Sequence, residues 1–177
     1  MEQWTGERTI WQAPGDHLKE FRQIANYYME GMQYAKGKRV IDVGCANAFG
    51  TFLLSLVASD VVGIDINADI FASGESLLPF QAHTTFKALD LEYSEANMEA
   101  DLCVAIELIE HLGNPDFFLE NLKTSALFFT MPCYGDRNPF HKIEYNEQKA
   151  AELIRRHFPD LSYRMEAGHM IGYATRN

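Results

Sequence analysis

Positive charge is scarce in this chain of 177 residues, which has 15 lysines and arginines against 25 aspartates and glutamates and a net charge of −10. No basic cluster is visible, so long-range attraction to a phosphate backbone is not expected and a nucleic-acid partner is disfavoured. No apolar run approaches the ~20 residues that a membrane-spanning helix needs, and the N-terminus lacks the pattern of a signal peptide. We therefore expect a cytoplasmic protein with no membrane partner.

Cysteine is also scarce, with only Cys45, Cys103 and Cys133. Their odd number and the absence of zinc-site spacing favour reduced thiols in the core or at strand ends. Nothing nearby in sequence would lower a thiol pKa, so a catalytic cysteine is not favoured. A domain of this length buries about 70% of its unfolded surface without disulfides. We therefore predict one domain over residues 1–177, with no linker and no internal repeat.

The stretch from residue 38 to residue 66 predicts a ligand site. An apolar run at 39–43 enters a small-residue turn at Gly44, a buried helix is expected at 50–58, and a second apolar run at 61–64 stops at Asp65. Two parallel strands with a helical crossover are the economical interpretation. Ligands of such sheets bind beyond the carboxyl ends of the strands, where Gly44 and Asp65 lie. A carboxylate at the Asp65 position can accept both hydroxyls of an adenosine ribose.

Two glycines are missing from this turn. The pyrophosphate pattern G-x-G-x-x-G would need glycine at positions 46 and 49, where the chain has Ala46 and Phe49. The missing glycines argue against a dinucleotide. A nicotinamide-dependent oxidoreductase is therefore a disfavoured alternative, and no hydride-transfer pair is evident.

Residues 41–50, IDVGCANAFG, together with Asp65 resemble the S-adenosylmethionine (SAM) site of class I methyltransferases, whose first motif runs roughly D-x-G-x-G-x-G. Ala46 and Ala48 stand where that family usually has glycine. The resemblance implies an α/β fold, a doubly wound, seven-stranded, mostly parallel sheet with a C-terminal antiparallel hairpin strand and helices on both faces. It implies that SAM is bound by Asp42, Gly44, Cys45, Ala46, Asp65, Ile66, Asp90, Leu91, Ile106 and Glu107. Among these, Asp90 is expected to contact the adenine amino group, with Leu89 and Leu91 as an apolar slot for the ring.

Hydrophobic periodicity predicts the remaining elements. A helix at 17–35 is expected to bury one face, made of Leu18, Phe21, Ala25, Tyr28, Met29 and Met32. Further helices are predicted at 67–78, from Asn114 and Pro115 onward, and at 147–157. Strands are predicted at 84–89, 101–106, 127–131, 161–167 and 170–175. Pro132 is expected to break the fifth strand.

The first 15 residues are predicted to form an irregular arm. The sequence TGER at 5–8 resembles the arm of bacterial methyltransferases found with polysaccharide genes. That resemblance implies that residues 1–36, arm and helix together, cover the cofactor side.

Four polar side chains are the candidates for chemistry beyond cofactor binding, namely Glu107, Glu110, His111 and His141. Two carboxylates and two imidazoles could hold a divalent cation, and the oxygens suit Mg or Mn. E-x-x-E-H followed by H-K-x-E-aromatic resembles the terminal 2′-O-methyltransferases of small RNAs, where such a metal grips a ribose cis-diol. The alternative is metal-free, with His111 or His141 as general base and Glu107 or Glu110 orienting it. A purely structural role, capping a helix and pinning a loop, also stays open.

The favoured hypothesis is a SAM-dependent methyltransferase that methylates an oxygen of a small-molecule or glycan acceptor, with Glu107, His111 and His141 as catalytic residues. Candidates for the acceptor pocket are Trp4, Trp11, Tyr27 and Tyr134. A SAM-binding protein without transferase activity is the remaining alternative. Acceptor specificity depends on the shapes of loops, which the cofactor motifs do not determine.

Overall fold

A seven-stranded sheet forms the centre of the computed structural model, which describes residues 17–67, 82–94, 99–135 and 138–176. In chain order the elements are α1 (His17–Ala35), β1 (Arg39–Val43), α2 (Phe49–Ser55), β2 (Asp60–Asp65), β3 (Thr84–Ala88), β4 (Ala100–Ile106), a 3-10 turn (Ile109–His111), α3 (Pro115–Asn121), β5 (Thr124–Pro132), α4 (Glu147–His157), β6 (Asp160–Glu166) and β7 (His169–Thr175).

The strands lie in the order β3-β2-β1-β4-β5-β7-β6. The first five are parallel, and β7 runs antiparallel to both β5 and β6. The predicted doubly wound sheet with a C-terminal antiparallel hairpin is confirmed. Because the central strands are covered on both faces, β4 and β5 are almost continuously apolar and buried rather than alternating.

Alternate residues of the parallel strands point to two separate apolar cores. Val40, Leu102 and Val104 pack with α1 and α2 on one face. On the other face Ile41, Cys103 and Ala105 pack with α3 and α4. This arrangement leaves the carboxyl ends of β1, β2 and β4 at one edge, next to the N-terminal half of α1.

Two details of the predicted elements are wrong. Met29 was expected on the buried face of α1 but is 51% exposed; the helix instead turns Tyr27, Tyr28, Gly31 and Ala35 inward. Pro132 does not stop the fifth strand at Met131, because it is itself the last residue of β5 and pairs with His169. As the last residue of the strand, Pro132 does not need to donate to the ladder.

Two other predictions fall outside the described residues. These are the arm at 1–15, with its candidates Trp4 and Trp11, and almost all of the helix expected at 67–78. Within the part of the chain that is described, no helix combines the length and the apolar character needed to cross a bilayer.

Candidate functional site

The turn after β1 has the backbone shape that the sequence motif predicts. Gly44 has φ +69°, and a Cβ placed there would lie 2.8 Å from Leu108 Cδ1. Ala46 and Ala48 also have positive φ, at 45° and 62°. Left-handed backbone costs a residue with a side chain about 1–2 kcal/mol, and glycine avoids that cost. The turn therefore has the left-handed backbone that the glycines of the D-x-G-x-G-x-G pattern favour, although two of those glycines are alanines here.

Asp65 braces this turn from the end of β2. Its Oδ2 accepts a hydrogen bond from the Ala46 backbone N–H at 3.0 Å, and its Oδ1 accepts from the Asn67 N–H at 3.1 Å. The Ile64 carbonyl also accepts from the N–H groups of Gly44 and Cys45. The turn is thus tied to β2 by main chain and side chain together.

Asp42 lies beneath the turn and is completely buried. Its carboxylate accepts hydrogen bonds from the Tyr28 hydroxyl at 3.0 Å and from Thr51 Oγ1 at 2.6 Å. Burial raises the pKa of Asp42 to about 7, against the two hydrogen bonds, which lower it. Both carboxylate oxygens are therefore directed at neighbouring protein groups.

The cysteines behave as core thiols. Burial raises the pKa of Cys45 and of Cys103 well above the usual range, and raises that of Cys133 to about 11. The thiolate is the nucleophilic form of cysteine, so burial disfavours nucleophilic catalysis by all three.

A cavity of about 380 Å³ lies between the turn, the end of β4 and the first half of α1. Its wall includes seven of the predicted site residues: Gly44, Cys45, Ala46, Ile106, Glu107, His111 and His141. Asp42, Asp65, Ile66, Asp90, Leu91 and Glu110 are not among the described residues that line it. Tyr27 and Tyr134, predicted for the acceptor pocket, do line it, as do Gln23 and His169.

Three of the four predicted metal ligands meet at one side of this cavity. One potential ligand atom from each of Glu110, His111 and His141 lies within 4.8 Å of the others. The chain folds this way because the Glu110 carbonyl accepts from the N–H groups of Lys142 and Ile143, which holds the segment around His141 against the 3-10 turn. The two imidazole rings then meet edge to face, with centroids 4.8 Å apart.

The carboxylate and the imidazole nitrogens of this cluster are groups that can bind a cation. Glu110 is 1% exposed, and its Oε1 lies 3.9 Å from His111 Nε2. His111 Nδ1 lies 3.1 Å from the Phe140 carbonyl, which fixes the proton on Nδ1 in a neutral ring and leaves the Nε2 lone pair on the Glu110 side. Hydrogen bonding of the outer nitrogen to a carbonyl is the usual support of a metal-binding histidine.

Glu107, the fourth predicted ligand, lies outside this three-residue cluster. Its backbone is left-handed with φ +48°, and its Oε1 accepts a 2.7 Å hydrogen bond from Thr130 Oγ1. Its Oε2 lies 3.4 Å from His169 Nε2.

Sequence reasoning missed His169 as a site residue, because it falls between the strands predicted at 161–167 and 170–175. The pairing of β5 with β7 brings His169 to the site, because it places His169 opposite Pro132.

Comparison with known proteins finds a matching family and several relatives. Residues 41–125 match a family described as a methyltransferase domain. A probable S-adenosylmethionine-dependent methyltransferase of Mycolicibacterium smegmatis is 27% identical over 165 residues, covering 85% of this chain and 62% of that protein. A ubiquinone biosynthesis O-methyltransferase of Paraburkholderia phymatum is 25% identical, covering 60% of this chain and 47% of that protein. A small RNA 2′-O-methyltransferase of Xenopus tropicalis is 29% identical, covering 64% and 39%. The chain thus spans about half the length of these curated relatives.

Solved structures share the fold at low sequence identity. The N-terminal domain of EvdMO1 with SAH bound superposes with a TM-score of 0.72 at 10% identity, covering 87% of this chain and 81% of that one. The methyltransferase domain of bacterial CtHen1 gives a TM-score of 0.68 at 16% identity, covering 89% and 99%. These likenesses establish the architecture.

Proposed function

We propose that this chain is a class I SAM-dependent methyltransferase and that it transfers the methyl group of SAM to a hydroxyl of a sugar-like acceptor. The domain match, the relatives and the shared fold support this proposal. The observation that carries the proposal is the shared cavity. The turn at Gly44 and two residues of the cluster, His111 and His141, border the same 380 Å³ space.

The residues around the Gly44 turn fit the cofactor. The Gly44 backbone lines the cavity, and Asp65 holds the turn in place, so a methionine tail can approach the backbone closely. Asp65 at the end of β2 would hold the ribose hydroxyls, and Asp90 with Leu91 would hold the adenine. SAM supplies a methyl group that is already strongly electrophilic on its sulfonium. The protein's task is therefore chiefly to orient the acceptor and to exclude water.

The cluster residues fit a divalent cation. One buried carboxylate and two imidazoles form a donor set that takes Mn²⁺, and Mg²⁺ less readily because two donors are nitrogen. Glu110, His111 and His141 would hold the ion. A cation there supplies positive charge beside the acceptor, which favours the ionised form of a hydroxyl.

The cavity wall supports an acceptor with both polar and flat surfaces. Tyr134 is 53% exposed and packs edge to face on His169, while the buried Tyr27 also lines the cavity. One relative is named for ubiquinone biosynthesis and another for methylating small RNA. We propose that the acceptor is a vicinal diol of a small molecule or glycan. The terminal ribose of an RNA carries the same diol and is the competing acceptor.

The test measures production of S-adenosylhomocysteine from SAM with a panel of sugars, nucleosides, catechols and a short RNA, each with Mn²⁺ and with EDTA. We expect acceptor-dependent production in Mn²⁺ with one member of the panel and at least tenfold less in EDTA. Equal rates in Mn²⁺ and in EDTA would support a transferase that uses no cation and has a histidine as its general base. SAM binding without production from any member would favour a SAM-binding protein that lacks transferase activity.

His141→Ala is the variant for this assay, with His157→Ala as its matched control. His157 lies on α4, where its Nε2 is 2.7 Å from Asp116 Oδ1, outside the lining of the cavity. We expect His141→Ala to abolish turnover and keep SAM affinity, and His157→Ala to keep both. Unchanged turnover in His141→Ala would remove His141 from the mechanism.

A further inference from the structure

The backbone of Glu107 is strained in a way that its neighbours explain. A glutamate with φ +48° occupies a region that residues with side chains rarely adopt, and such strain persists only where surrounding contacts hold it. Here the Glu107 N–H donates to both the carbonyl and Oγ1 of Thr130, at 3.2 Å each. Thr130 is fully buried, and its hydroxyl donates back to Glu107 Oε1 at 2.7 Å. Main chain and carboxylate are thus fixed by one residue of β5.

His169 holds the other carboxylate oxygen. Its Nε2 lies 3.4 Å from Glu107 Oε2, and its side chain is only 13% exposed. Its Nδ1 lies 3.2 Å from Gln23 Nε2 and 3.2 Å from the Ala167 carbonyl. Gln23 Nε2 in turn donates to the Tyr27 hydroxyl. The imidazole is therefore bordered by groups from α1, β4 and the β6–β7 turn.

We infer that His169 and Thr130 are positioning residues that hold Glu107 as a cavity-facing carboxylate, separate from the cation site formed by Glu110, His111 and His141. This inference rests on the proposed function for its catalytic meaning. Glu107 is then not a metal ligand, so three of the four predicted ligands remain, and Glu107 instead presents its carboxylate to the cavity.

The separation follows from the contacts. Both oxygens of Glu107 face partners on β5 and β7, whereas the cluster is built from the 3-10 turn and the segment around His141. To join the cluster, Glu107 would have to give up Thr130 and His169. Breaking a partly buried, charge-assisted hydrogen bond is costly because it leaves the partner group unsatisfied.

A carboxylate held in this place can accept the proton of an acceptor hydroxyl. The O–H bond breaks as the proton passes to Glu107, while the new C–O bond forms and the methyl–sulfur bond breaks. The sulfur keeps the electron pair of that bond and becomes a neutral thioether, and the proton then leaves Glu107 to solvent. His169 keeps the carboxylate oriented throughout and does not itself contact the acceptor.

The test uses the full chain and the variants Glu107→Gln, His169→Gln, Thr130→Val and Glu110→Gln, with His157→Gln as control. The control removes a histidine that also faces a carboxylate, Asp116, but lies on α4 and does not line the cavity. The first readout is Mn²⁺ affinity by electron paramagnetic resonance. The second is the ring ¹⁵N spectrum of the six histidines without metal. Neither readout requires an acceptor. Where the panel has identified one, kcat is the third readout.

We expect Glu107→Gln, His169→Gln and Thr130→Val to bind Mn²⁺ within about threefold of the parent, and Glu110→Gln to lose at least about tenfold. Glu107→Gln should shift the ring signals of His169 and leave those of His111 and His141 in place. Glu110→Gln should do the reverse. The control should change neither readout beyond its own missing signal, and kcat should fall at least tenfold in Glu107→Gln.

Loss of Mn²⁺ affinity in Glu107→Gln comparable to that in Glu110→Gln, or a shift of the His111 and His141 signals in place of His169, would overturn the inference. If the parent binds no Mn²⁺, the cation part of the proposed function fails, and the histidine spectrum alone decides whether Glu107 is paired with His169. Should His169→Gln fail to fold, Thr130→Val and Glu107→Gln still give both readouts.

Discussion

The Tyr28 hydroxyl donates a 3.0 Å hydrogen bond to Asp42 Oδ1, and both groups are buried. This bond connects α1 to the strand whose end forms the Gly44 turn. The Tyr28 ring also lies against Gly50, where an added Cβ would come within 1.9 Å of the ring carbon Cζ. One aromatic side chain thus fastens α1 to both the strand and the helix that flank the turn, so changes in Tyr28 should reach the cofactor site.

Replacing Tyr28 by Phe should lower the free energy of unfolding by about 1–3 kcal/mol, because a buried carboxylate loses one of its two side-chain donors. Urea unfolding at pH 8 measures this change. Tyr93→Phe is the matched control, since Tyr93 is 80% exposed. Equal stability of the two variants would show that the Tyr28 hydroxyl contributes nothing to the fold.

Asp42 should impose a pH dependence on stability. Its folded pKa, about 7, lies above the value near 3.9 expected for an unfolded chain, so the folded state keeps a proton that the unfolded state has released between these pH values. The stability contribution is therefore fully present below about pH 4, falls as the pH rises towards 7, and is constant above that.

Comparison of the parent with Asp42→Asn isolates this effect. We expect the parent to lose a few kcal/mol of unfolding free energy relative to the variant between pH 4 and pH 7, with no further change between pH 8 and pH 9. Unfolding curves in urea at each pH give the difference. Parallel pH profiles for the two proteins would contradict the raised pKa.

Replacing the alanines of the turn after β1 by glycine should have the opposite effect on stability from replacing an alanine within a helix. Ala46→Gly and Ala48→Gly each relieve a left-handed backbone and should stabilise the protein by about 1 kcal/mol. Ala151→Gly, in the middle of α4, should destabilise it by a similar amount. Thermal unfolding of the three variants tests the sign, and destabilisation by the turn substitutions would mean that their side-chain contacts outweigh the backbone strain.

Gly50→Ala should displace Tyr28 because the new methyl group would overlap its ring. We expect a loss of about 1–3 kcal/mol in stability, as for other overpacked cores, together with weaker SAM binding. The double variant Gly50→Ala with Tyr28→Leu should recover part of the stability, since the flexible leucine leaves room for the methyl group. If the double variant recovers no stability, overlap with the Tyr28 ring is not the cause of the loss in Gly50→Ala.

Part of the fold could be predicted because β1 and β2 are short, largely apolar runs that end next to a glycine and at an acidic residue. Asp65 and Gly44 mark the ends of β2 and β1, and both were placed correctly from the sequence alone. The face of α1 could not be placed as well: Met29 and Tyr27 both suit a buried position by composition, and only packing against the sheet shows that Tyr27 is the one inside.

The candidate site was predictable where it is local in sequence. Glu110 and His111 share one turn, and His141 lies in a segment with a matching motif. Thr130 and His169 were missed because they approach Glu107 from 23 and 62 residues away, through the pairing of β4 with β5 and of β5 with β7. No local pattern distinguishes such a threonine or histidine from a structural one.

Calorimetric titration of SAM tests the central claim most directly. We predict binding at one site per chain with micromolar affinity, and a loss of at least tenfold in Gly44→Ala, where a Cβ would meet Leu108. Gly37→Ala is the matched control, because Gly37 has a φ of +70° against +69° for Gly44, but open space around it. No SAM binding by the parent, or an equal loss in the two glycine variants, would contradict a cofactor site at this turn.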